Sequence, residues 1–180
     1  MAVRSSLLLP PLLIAGILVI PAIGARGVAH AQEPPPGTLS ITAPESSSLS
    51  SGTPTDAGAL SAALGSITVH DARGQIGATW TATVSTTSFT TGAATAYETL
   101  GRENVAYWSG PAVSSTGTGV FTPGQVTEDV RVSLDVPRTA FTMASGIGNN
   151  SVSWEPTVVV TIPSSAVTGT YTGTITHSVA

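Results

Sequence analysis

The chain has three histidines, ten carboxylates and many serines and threonines, but no cysteine. These are the groups with which it could do chemistry. His30, His70 and His177 are far apart in sequence and form no His-x-x-x-His pair, so the spacing does not support a zinc site. His70 stands at a polar position of its alternating stretch and is expected to face solvent. His177 stands at an apolar position, where a hydrogen-bonded, half-buried imidazole is expected rather than a ligand. No Gly-x-Ser-x-Gly elbow is present to present a nucleophilic serine. Glu128 and Asp129 are adjacent, and neighbours on a strand point to opposite faces, which does not suit a carboxylate dyad. Gly148-Asn149-Asn150 lacks the alternating acidic ligands of a calcium loop. Asn149-Asn150-Ser151 is formally a glycosylation sequon. These patterns predict a chain that is not an enzyme and that carries no metal and no cofactor.

The aromatic residues offer binding chemistry instead. Tyr107 and Trp108 are consecutive in a strand-like run, so one of them should point outward. An outward ring beside Ser and Thr hydroxyls can stack on a sugar, and both residues are candidate ligand contacts. The alternative is that the ring is covered by Val113 and Val120 from the segment after Pro111. Trp80 alternates with threonines on an inner face and is expected in the core. Trp154 precedes Glu155-Pro156 and reads as a packing plug.

The elements that would carry these residues are strands. Ser66–Ser85 reads as strand, turn, strand. Ile67 and Val69 alternate with polar residues, Asp71-Ala72-Arg73-Gly74 supplies turn chemistry, and Trp80, Ala82 and Val84 alternate with Thr79, Thr81 and Thr83. This predicts a hairpin. Thr170–Val179 alternates in the same way, with Tyr171, Gly173, Ile175, His177 and Val179 on one face. Leu39 and Ile41 mark a first strand ended by Pro44. Glu45–Gly58 reads as a long exposed loop, and Ala59–Leu64 as at most one helical turn. Glu103–Ser109 reads as a strand, Pro111–Pro123 as a Gly/Ser/Thr-rich loop with a short Val120-Phe121 contact. Val126–Val136 gives the clearest alternation, predicting Val130, Val132, Leu134 and Val136 inside with Arg131 and Asp135 outside. Ala140–Ala144 begins another strand and Gly146–Ser151 a turn. Thr157–Ile162 is a Val-rich strand, and the short Ser164–Gly169 link predicts that it lies antiparallel beside the last one.

The Ser66–Ser85 block, with Gly169-Thr170-Tyr171-Thr172-Gly173-Thr174-Ile175-Thr176, resembles the WxL domain of Gram-positive surface proteins. That family has a Asp-x-Arg-Gly-like turn, a Trp-x-Leu strand and a closing strand with a second such motif. Here the first motif falls on Trp80-Thr81-Ala82 and the second on His177-Ser178-Val179. Ala82, His177 and Val179 therefore stand where the family has Leu, Trp and Leu. The resemblance spans about Thr38 to Ala180, with only the two end blocks specific, and makes this a divergent relative. It implies a cell-surface protein that attaches to peptidoglycan.

The N-terminus has the form of a secretory signal peptide over residues 1–31. Arg4 is the basic start, Leu7–Ile23 an apolar run, and Ala29-His30-Ala31 a small-x-small cleavage site. Pro10, Pro11 and Pro21 interrupt the run and disfavour a spanning anchor, which needs roughly 20 apolar residues. Removing the leader leaves about 150 residues, enough for one domain with a core. Residues 32–37, QEPPPG, are a Pro-rich linker and 38–180 the domain. The domain keeps four arginines against ten carboxylates, a formal charge of about −6. That acidic balance argues against nucleic acid or anionic lipid as partner, and no membrane contact is expected after cleavage. With no cysteine, no disulfide supports the exported chain.

These features predict an all-β protein, a single antiparallel, Ig-like β-sandwich of roughly seven to nine strands. The expected function is that of a secreted, cell-wall-associated module without catalysis, whose partner is cell-wall glycan. The alternative is a structural or scaffold subunit that pairs with another surface protein through an edge strand.

Overall fold

The computed structural model describes residues 2–8, 37–48 and 58–180. Most of the expected leader, the 32–37 linker up to Gly37, and residues 49–57 of the expected loop lie outside the described residues. The strands are β1 (Ala2–Leu8), β2 (Leu39–Thr42), β3 (Ser46–Ser48), β4 (Ala59–Ala63), β5 (Ile67–Asp71), β6 (Ile76–Thr86), β7 (Phe89–Thr90), β8 (Thr99–Leu100), β9 (Val105–Trp108), β10 (Ala112–Pro123), β11 (Val132–Ser133), β12 (Arg138–Trp154), β13 (Thr157–Thr161) and β14 (Thr172–Val179). Three single 3₁₀ turns are the only helical elements among the described residues.

The fold is all-β, as the alternation predicts, with two sheets. The larger has the order β2-β5-β12-β6-β14-β1-β3, with β10 also paired to β12 and the small β7–β8 ladder attached to β14. The smaller has the order β11-β9-β13-β4. Inward residues of both sheets make one core. Ile67, Val69, Ala82, Val84, Phe141 and Ile175 come from the first, and Val105, Tyr107, Val158 and Val160 from the second. Phe141 and Trp154 stack with centroids 4.8 Å apart, the offset geometry that aromatic quadrupoles favour. The predicted face of the last strand is observed: Tyr171, Ile175, His177 and Val179 are all buried.

The Ser66–Ser85 block is not a hairpin. β5 and β6 are both antiparallel to β12, in one descending register: Ile67↔Trp154 to Asp71↔Asn150, then Ile76↔Ile147 to Val84↔Arg138. The chain therefore continues in one direction through residues 72–75. Ala72 stays bonded to β2, its N–H donating to the Thr38 carbonyl at 2.8 Å and its carbonyl accepting Gly37 N–H at 2.7 Å. Gly148 N–H donates to the Gln75 carbonyl at 2.9 Å. The turn residues make a bulge, in which four residues (72–75) oppose two (148–149), because both flanks remain paired.

The same cause corrects two other expectations. Pro111–Pro123 is not a loop: β10 pairs with β12 from Ala112↔Trp154 to Pro123↔Phe141, with three register shifts. Gly146–Ser151 is not a turn, because it lies inside β12, which has β10 along one edge and β5 and β6 end to end along the other. Ser145 (φ 55°) and Gly148 (φ 71°) absorb the irregularities. Pairing on both edges overrides weak strand propensity.

Three further expectations fail. Ala59–Leu64 contains strand β4, paired with β13, rather than a helical turn. Within Val126–Val136, only Leu134 is fully buried. Val130 and Val136 are exposed, Glu128–Val130 forms a 3₁₀ turn, and only Val132–Ser133 pairs, with β9. Arg138 holds the segment's end by donating to the Ser133 carbonyl at 2.8 Å and to Asp135 at 2.7 Å. An alternating sequence without a partner strand along its length cannot sustain a ladder. Lastly, β13 and β14 are not neighbours. Their link crosses from the small sheet to the large one, where β14 pairs with β6.

β1 comes from the expected leader. It pairs antiparallel with β14 over seven residues, Ala2↔Ser178 to Leu8↔Thr172, and parallel with β3.

Candidate functional site

The two motif blocks meet in the large sheet. β14 lies beside β6 with Val179 opposite Ala82 and His177 opposite Val84. Trp80, Ala82, His177 and Val179 are all buried. The Trp80 ring lies 6.3 Å from that of Phe121, and its Nε1 donates to Asn150 Oδ1 at 3.4 Å. These positions build the core and form no open surface.

His177 belongs to a buried polar chain. Trp154 Nε1 donates to Tyr107 Oη at 3.3 Å, and Tyr107 Oη lies 3.3 Å from His177 Nε2. An indole can only donate, so the phenol's own hydrogen is free for the imidazole. His177 Nδ1 has no partner. Burial pushes the His177 pKa down to about 4 and the Tyr107 phenol well above its ordinary value. Both are neutral structural groups. Tyr107 is thus a core residue, and its expected role as an exposed sugar contact is corrected: β9 turns it toward the β14 side of the core. Trp108, one residue on, is the half-buried ring. Val113 and Val120, considered as its cover, are exposed on β10.

The Asp71-Ala72-Arg73-Gly74 stretch makes a second cluster. Asp71 is buried at the end of β5. Its carboxylate accepts from Arg73 Nε at 2.9 Å, Arg73 Nη2 at 2.8 Å and Arg73 N–H at 3.1 Å. Arg73 Nη2 also donates to the Thr79 carbonyl at 2.9 Å. The fork–fork pair ties the bulge to β6 and so fixes the approach to Trp80. These Arg73 bonds hold the Asp71 carboxyl below its usual range, against the opposing effect of burial, with further help from the Asn150 amide. Gly74, at φ 66°, supplies the left-handed backbone that closes the bulge.

Beside this cluster, where β5, β12 and β10 meet, is a cleft of about 150 Å³. It is lined by His70, Asp71, Thr116, Asn149, Asn150 and Ser151, with Ala72. Asn149 is exposed, and His70, expected in solvent, is half-buried in the wall. Thr116 Oγ1 and Ser151 Oγ are 2.8 Å apart, joining β10 to β12. Since Arg73 neutralises Asp71, the lining is dominated by hydroxyl and amide groups, with the His70 imidazole. Such a surface can hydrogen-bond a polyol. Asn149 and Asn150 were expected only in a turn. Nothing local in the sequence marks Asn150 as the residue that pairs with Asp71 across the ladder and accepts from Trp80, because that role depends on register.

Among the described residues no three His, Asp or Glu side chains gather as a metal site, and no helix is long and apolar enough to cross a membrane. Comparison with protein-family models, curated proteins and solved structures gave no match to this chain.

Proposed function

We propose that the protein is an exported, non-catalytic surface module that holds noncovalently to bacterial cell-wall peptidoglycan. The observation that carries this reading is the cleft between β5, β10 and β12. Its neutral donors and acceptors suit sugar hydroxyls. The cleft gathers no catalytic set: its one carboxylate, Asp71, is locked by Arg73, its one imidazole is His70, and the other described histidine, His177, is buried in the core. Trp108 supplies a second, stacking contact. A formal charge of about −6 gives no general attraction to anionic wall polymers, so the contact is short-range and weakly salt-dependent.

Sedimentation with insoluble peptidoglycan at low and high salt tests the proposal. The protein should pellet at both, leave the glycan chemically unchanged, and pellet several-fold less as Asn149→Ala or Trp108→Ala. A protein that stays in the supernatant at both salts overturns it.

β10 favours a second reading, the scaffold subunit. It is an outer strand of twelve residues with no charged side chain, and its Val113 and Val120 are exposed. Outer strands of soluble proteins are commonly guarded by charge or proline against pairing. Capture by a co-expressed surface protein, with no glycan binding, would select this reading.

A further inference from the structure

The outer edge of β14 is filled by β1, and β1 belongs to the segment expected to be removed on export. The seven-residue ladder runs from Ala2↔Ser178 to Leu8↔Thr172. On its other side β1 pairs with β3 through Ser6↔Ser46, Leu7↔Ser47 and Leu8↔Ser48. Loss of β1 therefore opens a slot one strand wide, bounded by β14 and β3.

The backbone groups that would face this slot can be assigned. Thr174 N–H donates to Thr87 Oγ1 and its carbonyl accepts Thr87 N–H, while Ala180 exchanges both backbone bonds with Thr81. Even-numbered residues of β14 thus turn their N–H and C=O toward β6. By the alternation of an antiparallel ladder, Gly173, Ile175 and His177 turn theirs toward β1. β14 carries no Lys, Arg, Asp, Glu or Pro to discourage pairing.

From this we infer that the exported chain uses the slot between β14 and β3 to accept a strand from another exported protein. The incoming segment is extended, about seven residues long, and made mainly of small, apolar and hydroxyl residues, as β1 is apart from Arg4. The chain's own new N-terminus cannot fill it. Residues 34–36 are three consecutive prolines, which lack the N–H a ladder needs. The same holds for the N-terminus of a second copy. An unpaired edge leaves backbone groups unsatisfied except by water, and a donated strand satisfies them on both flanks. The leader strand then serves as a placeholder until export. This deepens the scaffold reading and rests on it and on leader removal.

The test uses the uncleaved full chain and its Ser5→Pro variant. Ser5 pairs with Ile175, whose backbone groups turn toward β1, so proline there removes a ladder bond and disrupts β1 alone. Hydrogen exchange should speed at Gly173, Ile175 and His177 while β5, β6 and β12 stay protected. Adding the free peptide AVRSSLL should restore the protection, and the same peptide with proline at its Ser5 position should bind at least about tenfold more weakly. Mass spectrometry of the exported protein should show a start after Ala31, and that form should bind the peptide as the variant does. Unchanged exchange in the variant, no effect of the peptide, or an exported chain that retains residues 2–8 would each overturn the inference. Capture of a surface protein that the peptide does not compete away, and that changes in β10 abolish, would keep the scaffold reading and overturn this one.

Discussion

Trp80 shows how a single residue can hold two parts of the sandwich. Its ring packs against Phe121 of β10, and its indole nitrogen bonds Asn150 of β12. Trp80→Ala should cost roughly 3–5 kcal/mol in urea unfolding, the range for deleting a buried large aromatic. That is a large part of the about 5–15 kcal/mol of a typical domain. Protease resistance and wall binding should fall together, and a variant that stays fully stable but no longer binds would make Trp80 a ligand contact. His177 makes a different prediction. In the unfolded chain it takes up a proton near pH 6.5, but in the fold only near pH 4. The unfolded state therefore binds more protons between those values, and stability falls as pH drops from 6.5 to 4. It then levels, for this group, below about 4. The gap corresponds to roughly 3 kcal/mol. In His177→Phe the decline in stability between pH 7 and 4 should shrink by about that amount.

At the scale of elements, β10 depends on a backbone conformation that few side chains tolerate. Gly117 has φ 79°, and a Cβ there would collide with the backbone of Asn149 and Asn150 on β12. Gly117→Ala should destabilise by well over 1 kcal/mol, since strain and collision add. It should also weaken glycan binding, because Thr116 and Asn149 line the cleft. Gly77 provides the control. Its φ is 72° with nothing within 4 Å of a Cβ, so Gly77→Ala should show only the backbone strain, about 1 kcal/mol, and leave binding intact. Equilibrium unfolding of the two variants beside the pull-down separates these cases. If Gly117→Ala proved as mild as Gly77→Ala, the close approach of β10 to β12 would not hold in solution.

At the scale of the molecule, acid should unfold the protein in two stages with different origins. From pH 6.5 to 4 the loss belongs to His177. Below about 4 it passes to Asp71, whose carboxyl is held below its ordinary value of 3.8 chiefly by the Arg73 hydrogen bonds. That stabilisation is complete above the unfolded value and disappears as pH falls through the folded one. Arg73→Met should remove the cause and raise the pH of the second stage, and a circular dichroism titration measures both. With no cysteine, the chain has no disulfide to add to its packing and polar links against acid.

The sequence alone determined the β class and the faces of the strands whose edges are paired throughout. Period-two alternation is a local property, so Ile67, Val69, Trp80, Ala82, Val84, Tyr171, Ile175 and Val179 were legible as inward. It did not show that Ala82 and Val179 stand opposite one another. Tertiary structure decided whatever depended on the neighbour. Val126–Val136 alternates well yet finds a partner for only two residues, so most of its valines are not buried. Pro111–Pro123 and Gly146–Ser151 have turn-like composition yet become strand, because β12 is paired on both edges. Asp71-Ala72-Arg73-Gly74 has the chemistry of a reversal, but Ala72 and Gln75 remain bonded to flanking strands, and the chain runs on as a bulge. The cleft exists only because that bulge, Thr116 and Asn149–Ser151 are brought to one place. Backbone hydrogen bonds saturate through long-range partners, and a one-dimensional pattern cannot specify which partner, or how far along it, a segment will pair.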